Sequence, residues 1–228
     1  DQETDGSEYG GVFVYENVGL FIGFVLFGSM ISGEITPLDM GGGFGQAVSI
    51  VDMEGRVRAV VGAHLAAGGG ETAIMNEVGK VYTFERMKTE DSEWISLDAN
   101  PFVGSREGDR LGSEVALSRD GSFVLMSSPG SELRDSLGSV AGYSWQDGEW
   151  ALTFLTTGSQ LSEGFGSSLE ILGTGDEMVA IGSPGFGNRA GRIQVFEKQD
   201  DGAYEQVGDD LLGEFGEEVG KKGTVAGR

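Results

Sequence analysis

The sequence predicts an all-β protein built from repeats, and three observations carry that reading. A phrase recurs along the chain: LGSEVALSRDGSFVLMSSPGSELRDSLGSVAGYSW from Leu111, GFGSSLEILGTGDEMVAIGSPGFGNRAGRIQVF from Gly164, and FGQAVSIVDMEGRVRAVVGAHL from Phe44, resuming at Gly79 as GKVYTF. Within each copy, alternating apolar and polar runs are separated by Gly/Asp turns, the signal of antiparallel strands. Glycine supplies 41 of the 228 residues against only 4 prolines, without the triplet period of collagen. Self-similarity at this period means stacked supersecondary units. Four short strands per unit describe the blade of a β-propeller.

In chain order, the polar opening Asp1–Glu8 has no initiating Met and reads as a processed product or a segment of something longer. Gly11–Asn17 and Gly19–Gly28 match the third and fourth strands of a blade. The apolar run VGLFIGFVLFGSMI at Val18–Ile31 is too short to cross about 30 Å of hydrocarbon. It reads as an outer strand whose Phe21, Phe24 and Phe27 form a candidate self-association surface. Four pairs then anchor the repeats: Phe44–Gly45, Leu111–Gly112, Phe165–Gly166 and Phe215–Gly216, spaced 67, 54 and 50 residues apart. Each pair opens a first strand. A tight turn follows at Met53–Gly55, Arg119–Gly121 or Gly173–Gly175. The second strand stops at Gly62-Ala63-His64, Ser127-Ser128-Pro129 or Gly182-Ser183-Pro184. A third strand and an aromatic-led fourth, at Trp94, Trp150 or Tyr204, complete the unit. The blades are expected at 43–98, 110–155 and 164–208, with another split between 9–28 and 214–228, all in one domain of residues 1–228. Trp94, Trp150 and Tyr204 recur in one slot, and Phe13, Phe84, Trp145 and Phe196 in another. That recurrence suits packing between blades better than a sugar-stacking platform.

These residues resemble the FG-GAP repeat, the blade of the integrin-alpha-type β-propeller. Phe165–Gly166 supplies the FG, and Gly182-Ser183-Pro184, with Gly62-Ala63-His64 more loosely, supplies the GAP. The resemblance implies adhesion, scaffolding or display. That family often carries a D-x-D/N-x-D-G calcium loop between first and second strands. This chain departs from it at Asp52-Met53-Glu54-Gly55, at Arg119-Asp120-Gly121 and at Gly173–Glu177. None has the six to eight oxygens calcium wants, so these read as hairpin turns and no metal or cofactor is expected.

With 15 basic against 37 acidic residues, a net charge of −22, the chain cannot build a large positive surface for nucleic acid or anionic lipid. There is no cysteine, hence no disulfide. The lone His64 closes a strand and reads as structural rather than as a triad base. No HExxH is present, and Gly41–Gly45 and Gly185–Gly191 lack the following helix a phosphate cradle needs. Glu107 with Asp109, and Glu217 with Glu218, read as loop charge.

The expected function is therefore non-catalytic. An extracellular or cell-surface structural or adhesive propeller would act through other protein chains, including copies of itself, without membrane insertion. One alternative is a carbohydrate- or ligand-binding module using one loop face, where Phe102 and Phe186 are the aromatics outside the repeat pattern. Another is a propeller glycoside hydrolase, for which Leu65–Val78 is the one long insertion. The split blade can close within the chain, by exchange with a neighbour, or within a longer propeller; a closed ring in an extracellular assembly is the favoured expectation.

Overall fold

Alternation along the sequence becomes pairing in three successive antiparallel sheets. The computed structural model describes residues 11–17, 24–26, 29, 31–32, 42–70, 73–89, 91–97, 101–130 and 136–221. Sheet I is a meander of Ala47–Met53, Arg56–Ala63 and Lys80–Met87, with Ile95–Ser96 and Phe102–Val103 both on the third strand. Sheet II runs Val115–Leu117, Phe123–Ser128, Ser139–Gln146 and Glu149–Thr157. Sheet III runs Ser168–Leu172, Met178–Ser183 and Arg192–Lys198, with Tyr204–Gln206 and Leu211–Leu212 on its third strand. A ribbon pairs Gly68–Gly70 with Ala73–Met75 inside the long insertion. The single helical element among the described residues is the four-residue turn Phe186–Arg189.

Near the N-terminus, Gly11–Val12 pairs with Ile31–Ser32 and Tyr15–Asn17 with Phe24–Leu26. This leading half-sheet repeats the third-and-fourth-strand pattern of sheet III. Gly11 faces Ser32 and Tyr15 faces Leu26, as Arg192 faces Leu212 and Phe196 faces Gln206. Of the phenylalanines in the apolar run, only the backbone of Phe24 lies among the described residues; Phe21 and Phe27 lie outside them.

The sheets share cores face to face. Side chains alternate across a strand, so the second strands of sheets I and II each feed two clusters. Ala59 and Val61 pack with Ile31, Tyr82 and Phe84, against Val12 and Val14 of the half-sheet. Val60 turns the other way, into a cluster with Ala47, Val81, Val115, Val124 and Met126. Phe123 and Leu125 leave sheet II by its far face to meet Phe165, Val179 and Ile181. Burying each such side chain is worth about 1.5–3 kcal/mol. The stacking therefore holds the sheets together more than any hydrogen bond between them.

Polar links pin the stacking. Leu117 N–H donates to Ser49 Oγ at 3.0 Å, and Trp150 Nε1 donates to Thr83 Oγ1 at 3.1 Å, both from sheet II to sheet I. Arg58, only 2% exposed, takes the position that Phe123 and Met178 hold in the other sheets. Its guanidinium meets Glu85 Oε2 at 2.8 Å, donates to Gly121 O at 2.6 Å, and lies 4.7 Å from the Trp145 ring. A buried charge persists only when paired and hydrogen-bonded, and Arg58 is both.

Two sequence expectations are adjusted. The sheets extend to Val103, Thr157 and Leu212, beyond the expected 98, 155 and 208: in sheets I and III the fourth strand is broken into two short pieces, and in sheet II it runs unbroken to Thr157. Tyr143, not Trp145, shares the slot of Phe84 and Phe196, since the third strand of sheet II starts at Ser139 as sheet I starts at Lys80 and sheet III at Arg192. Tyr143 packs against the cluster shared with sheet I, while Trp145 stacks edge-on to Trp150 at 5.0 Å. Phe13 is 55% exposed. Trp94, Trp150 and Tyr204 do share one slot, each packed against the cluster between its own sheet and the preceding one.

Candidate functional site

The most repeated construction in the molecule is the turn that opens each unit. At Phe44, Leu111, Phe165 and Val219 the preceding residue has left-handed backbone: Gly43 at φ +70°, Arg110 at +57°, Gly164 at +65° and Glu218 at +52°. The following glycine is left-handed too: Gly45 at +90°, Gly112 at +84°, Gly166 at +87° and Gly220 at +85°. The amide two residues after each apolar residue donates to the carbonyl one residue before it, from Gln46, Ser113, Ser167 and Lys221 at 3.0–3.2 Å. The first flank tolerates Arg110 and Glu218, but at the second a Cβ on Gly112, Gly166 or Gly220 would lie 2.6–2.8 Å from a neighbouring atom, which with φ > 0 restricts that place to glycine.

The fourth anchor is therefore Val219–Gly220 and not Phe215–Gly216. Phe215 is 84% exposed, against 0% for Phe165 and 8% for Leu111. A Cβ on Gly216 would meet nothing within 4 Å, whereas Gly112, Gly166 and Gly220 all lie against the neighbouring strands. The anchors are then 67, 54 and 54 residues apart. An acid two residues before the anchor caps the incoming loop. Asp109 accepts from Ser105 and Arg106 N–H, Glu163 from Ser159 and Gln160 N–H, and Glu217 from Glu214 N–H. The working signature is acid-x-apolar-Gly, and Gly42 replaces the acid in the first copy.

Each turn docks on the preceding unit. Leu111 N–H donates to Val78 O at 2.9 Å and Val219 N–H to Ala190 O at 3.1 Å, with parallel bridges Gly79–Leu111 and Gly191–Val219. A Cβ on Gly62 would lie 2.1 Å from Gly112 O, and one on Gly182 2.2 Å from Gly220 O. The "GAP" glycines thus permit contact between neighbouring units. Pro129 and Pro184 follow those strands as stops; a Cβ on Gly164 would meet Pro184 at 3.6 Å.

Beside the second of these turns lies a cleft of about 720 Å³, lined by Ser105, Arg106, Asp109, Ser136, Leu137, Leu155 and neighbouring hydroxyl residues. Arg192, 5% exposed, pairs with Glu163 Oε2 at 2.8 Å and Asp210 Oδ2 at 3.2 Å, and its guanidinium lies 4.0 Å from the Phe186 ring. Phe186 is thereby a packing residue. Phe102 likewise sits 4.6 Å from Tyr143. His64 lies beside Gly43, its Nδ1 buried without a hydrogen-bond partner. Burial, then the Arg110 guanidinium, holds its pKa below the ordinary value, against the pull of Glu77. At the hairpin end, burial acts to raise the Asp120 carboxyl, but hydrogen bonds from Ser118 and Ser122 outweigh it and leave it below its ordinary value. Burial, with Asp176 and Glu177 nearby, raises the Tyr204 phenol, whose hydroxyl donates to Asp176 O at 2.6 Å.

Among the described residues no three His, Asp or Glu side chains converge to hold a metal ion, and no helix is long and apolar enough to cross a membrane. Exposed apolar side chains gather near the C-terminal end of sheet III, with Leu211 at 58%, Leu212 at 62% and Phe215 at 84%. No protein-family model matches the chain, and no curated protein matches it.

Proposed function

We propose that the chain is a β-propeller of the FG-GAP kind, non-catalytic, acting outside the cell or at its surface through contacts with other protein chains, its own copies included. Four blade equivalents surround one axis; of one of them the leading half-sheet carries third- and fourth-strand segments, and Val219–Gly220 carries the opening turn. The observation that carries this reading is the docked turn, built the same way at Leu111, Phe165 and Val219 against the preceding unit. First strands also lie against the first and second strands of the preceding sheet, at both sheet junctions. Repetition of one junction turns a stack about an axis.

Leu211, Leu212 and Phe215, all exposed and close together in sequence after the fourth-strand segment Tyr204–Gln206, supply a surface for self-association. Light scattering over a concentration series tests it. The native chain should gain mass with concentration, and a Leu211→Ser, Leu212→Ser, Phe215→Ser variant should stay monomeric; equal behaviour of both chains defeats the reading. A second reading, a ligand-binding module, rests on the hydroxyl-lined cleft at Ser105 and Ser136. A glycan array with native chain and with Arg106→Ala decides it, since only cleft binding is lost in the variant.

A further inference from the structure

Equivalent residues in the three sheets differ sharply in exposure at one place. Val48 and Ile50 on the first strand of sheet I face Val61 and Ala59, as Val115 and Leu117 face Met126 and Val124, and as Leu169 and Ile171 face Ile181 and Val179. Val115 is 8% exposed, and Leu117, Leu169 and Ile171 are half-buried. Val48 is 41% and Ile50 46% exposed. The cause lies in what precedes each sheet. Val115 and Leu117 are covered by Ala47 and Val60, from the first and second strands of sheet I. Leu169 and Ile171 are covered by Ala116, Phe123 and Leu125, from the first and second strands of sheet II. Among the described residues the half-sheet before sheet I has third- and fourth-strand segments only, and its Val12, Val14 and Ile31 cover the second and third strands of sheet I.

We infer that the exposed face at Val48 and Ile50 is a docking site for a β-hairpin of the repeat's own first-and-second-strand kind. The face continues an interface already built twice in the molecule, and that continuity fixes the occupant's chemistry. It opens with an acid-x-apolar-Gly turn and carries small or apolar residues at alternate positions on its first strand. Its second strand places two large apolar side chains on the face turned toward sheet I, as Phe123 and Leu125 do toward sheet III. Two-stranded hairpins are marginal alone in water, so the occupant gains its order on docking. This inference names the contact surface of the proposed reading, yet it rests on sheet stacking and not on closure of a ring.

The test is the full chain extended before Asp1 by a flexible linker and a copy of its own residues 109–129. A short tether holds the hairpin at about millimolar effective concentration. Methyl NMR with a soluble paramagnetic agent then reads solvent access at Val48 and Ile50. Docking lowers relaxation at Val48 about fivefold, the ratio of its 41% exposure to the 8% of Val115. A control extension carries aspartate, in the appended copy only, at the positions copied from Phe123 and Leu125, which leaves the folded chain untouched; it should produce no protection. Unchanged relaxation, or equal protection by the aspartate extension, overturns the inference. So does protection already present in the unextended chain, whether lost on removal of Lys222–Arg228 or tracking a concentration-dependent mass, because the occupant is then the chain's own end or a second copy. Ring geometry is judged separately by imaging, so either reading can fail without the other.

Discussion

Replacing Gly62 by alanine should damage the molecule far more than its one added methyl suggests. Gly62 is the last residue but one of the second strand of sheet I, and a Cβ there would lie 2.1 Å from Gly112 O, 3.0 Å from Gly112 C and 3.2 Å from Gly112 Cα. All three are backbone atoms, so no side chain can swing aside. Ordinary contact begins at 3.4 Å, so the turn at Gly112 must move off the strand by about 1.3 Å. A gap of about 0.5–1 Å already forfeits a quarter to a half of a dispersion contact, and Ala47, Val60, Val81, Leu111 and Val115 share that junction. We expect a loss of about 3 kcal/mol, the upper end of ordinary overpacking, and a Tm lowered by roughly 6–12 °C for a chain of this size. Gly55→Ala is the matched control: φ is +76° and nothing lies within 4 Å, so only backbone strain of about 1–2 kcal/mol applies. Thermal unfolding followed by circular dichroism and by tryptophan fluorescence reads both. If Gly62→Ala costs no more than Gly55→Ala, the close approach of sheets I and II is not a real constraint.

Further outcomes follow from the same geometry. Phe165→Ala, at a fully buried side chain, should cost about 3–5 kcal/mol, while Phe215→Ala should stay within about 0.5 kcal/mol; denaturant midpoints compare them, and equal losses would restore Phe215 as the fourth anchor. Glu85→Gln leaves Arg58 buried without its counter-charge and should cost about 3 kcal/mol; a neutral result means that the pair is hydrated in solution. Because His64 has a folded pKa below its ordinary 6.5, the unfolded chain takes up the proton first. Its contribution is therefore fully present above pH 6.5 and is lost as pH falls below that value. His64→Gln should flatten the part of the stability profile below neutrality, and a variant profile parallel to the native one contradicts this.

The repeats were legible because strand alternation and turn glycines survive in every copy. Legibility failed where one residue's chemistry imitated another's role. Phe215–Gly216 looks like an opening pair, but the determinant is a left-handed residue before an apolar one, which Glu218 and Val219 satisfy without an aromatic. Trp145 imitates Tyr143 because it lies two places further on the same strand, on the same face, and only the start of that strand at Ser139 shows which of the two stands four residues in, as Phe84 and Phe196 do. The buried pairs Arg58–Glu85 and Arg192–Glu163 join strands and loops far apart in sequence. No local pattern announces them. Exposure at Val48 and Ile50 was equally hidden, since in the sequence they match Val115 and Leu117 and differ only in what covers them.

The central claim is that one junction, repeated, arranges the sheets around an axis. A crystal structure or a single-particle reconstruction of the purified chain tests it most directly. The account predicts that sheet I superposes on sheet II, and sheet II on sheet III, by successive rotations about one line, with Ala47–Met53, Val115–Leu117 and Ser168–Leu172 nearest that line. Two face-packed sheets with no common rotation axis would contradict it.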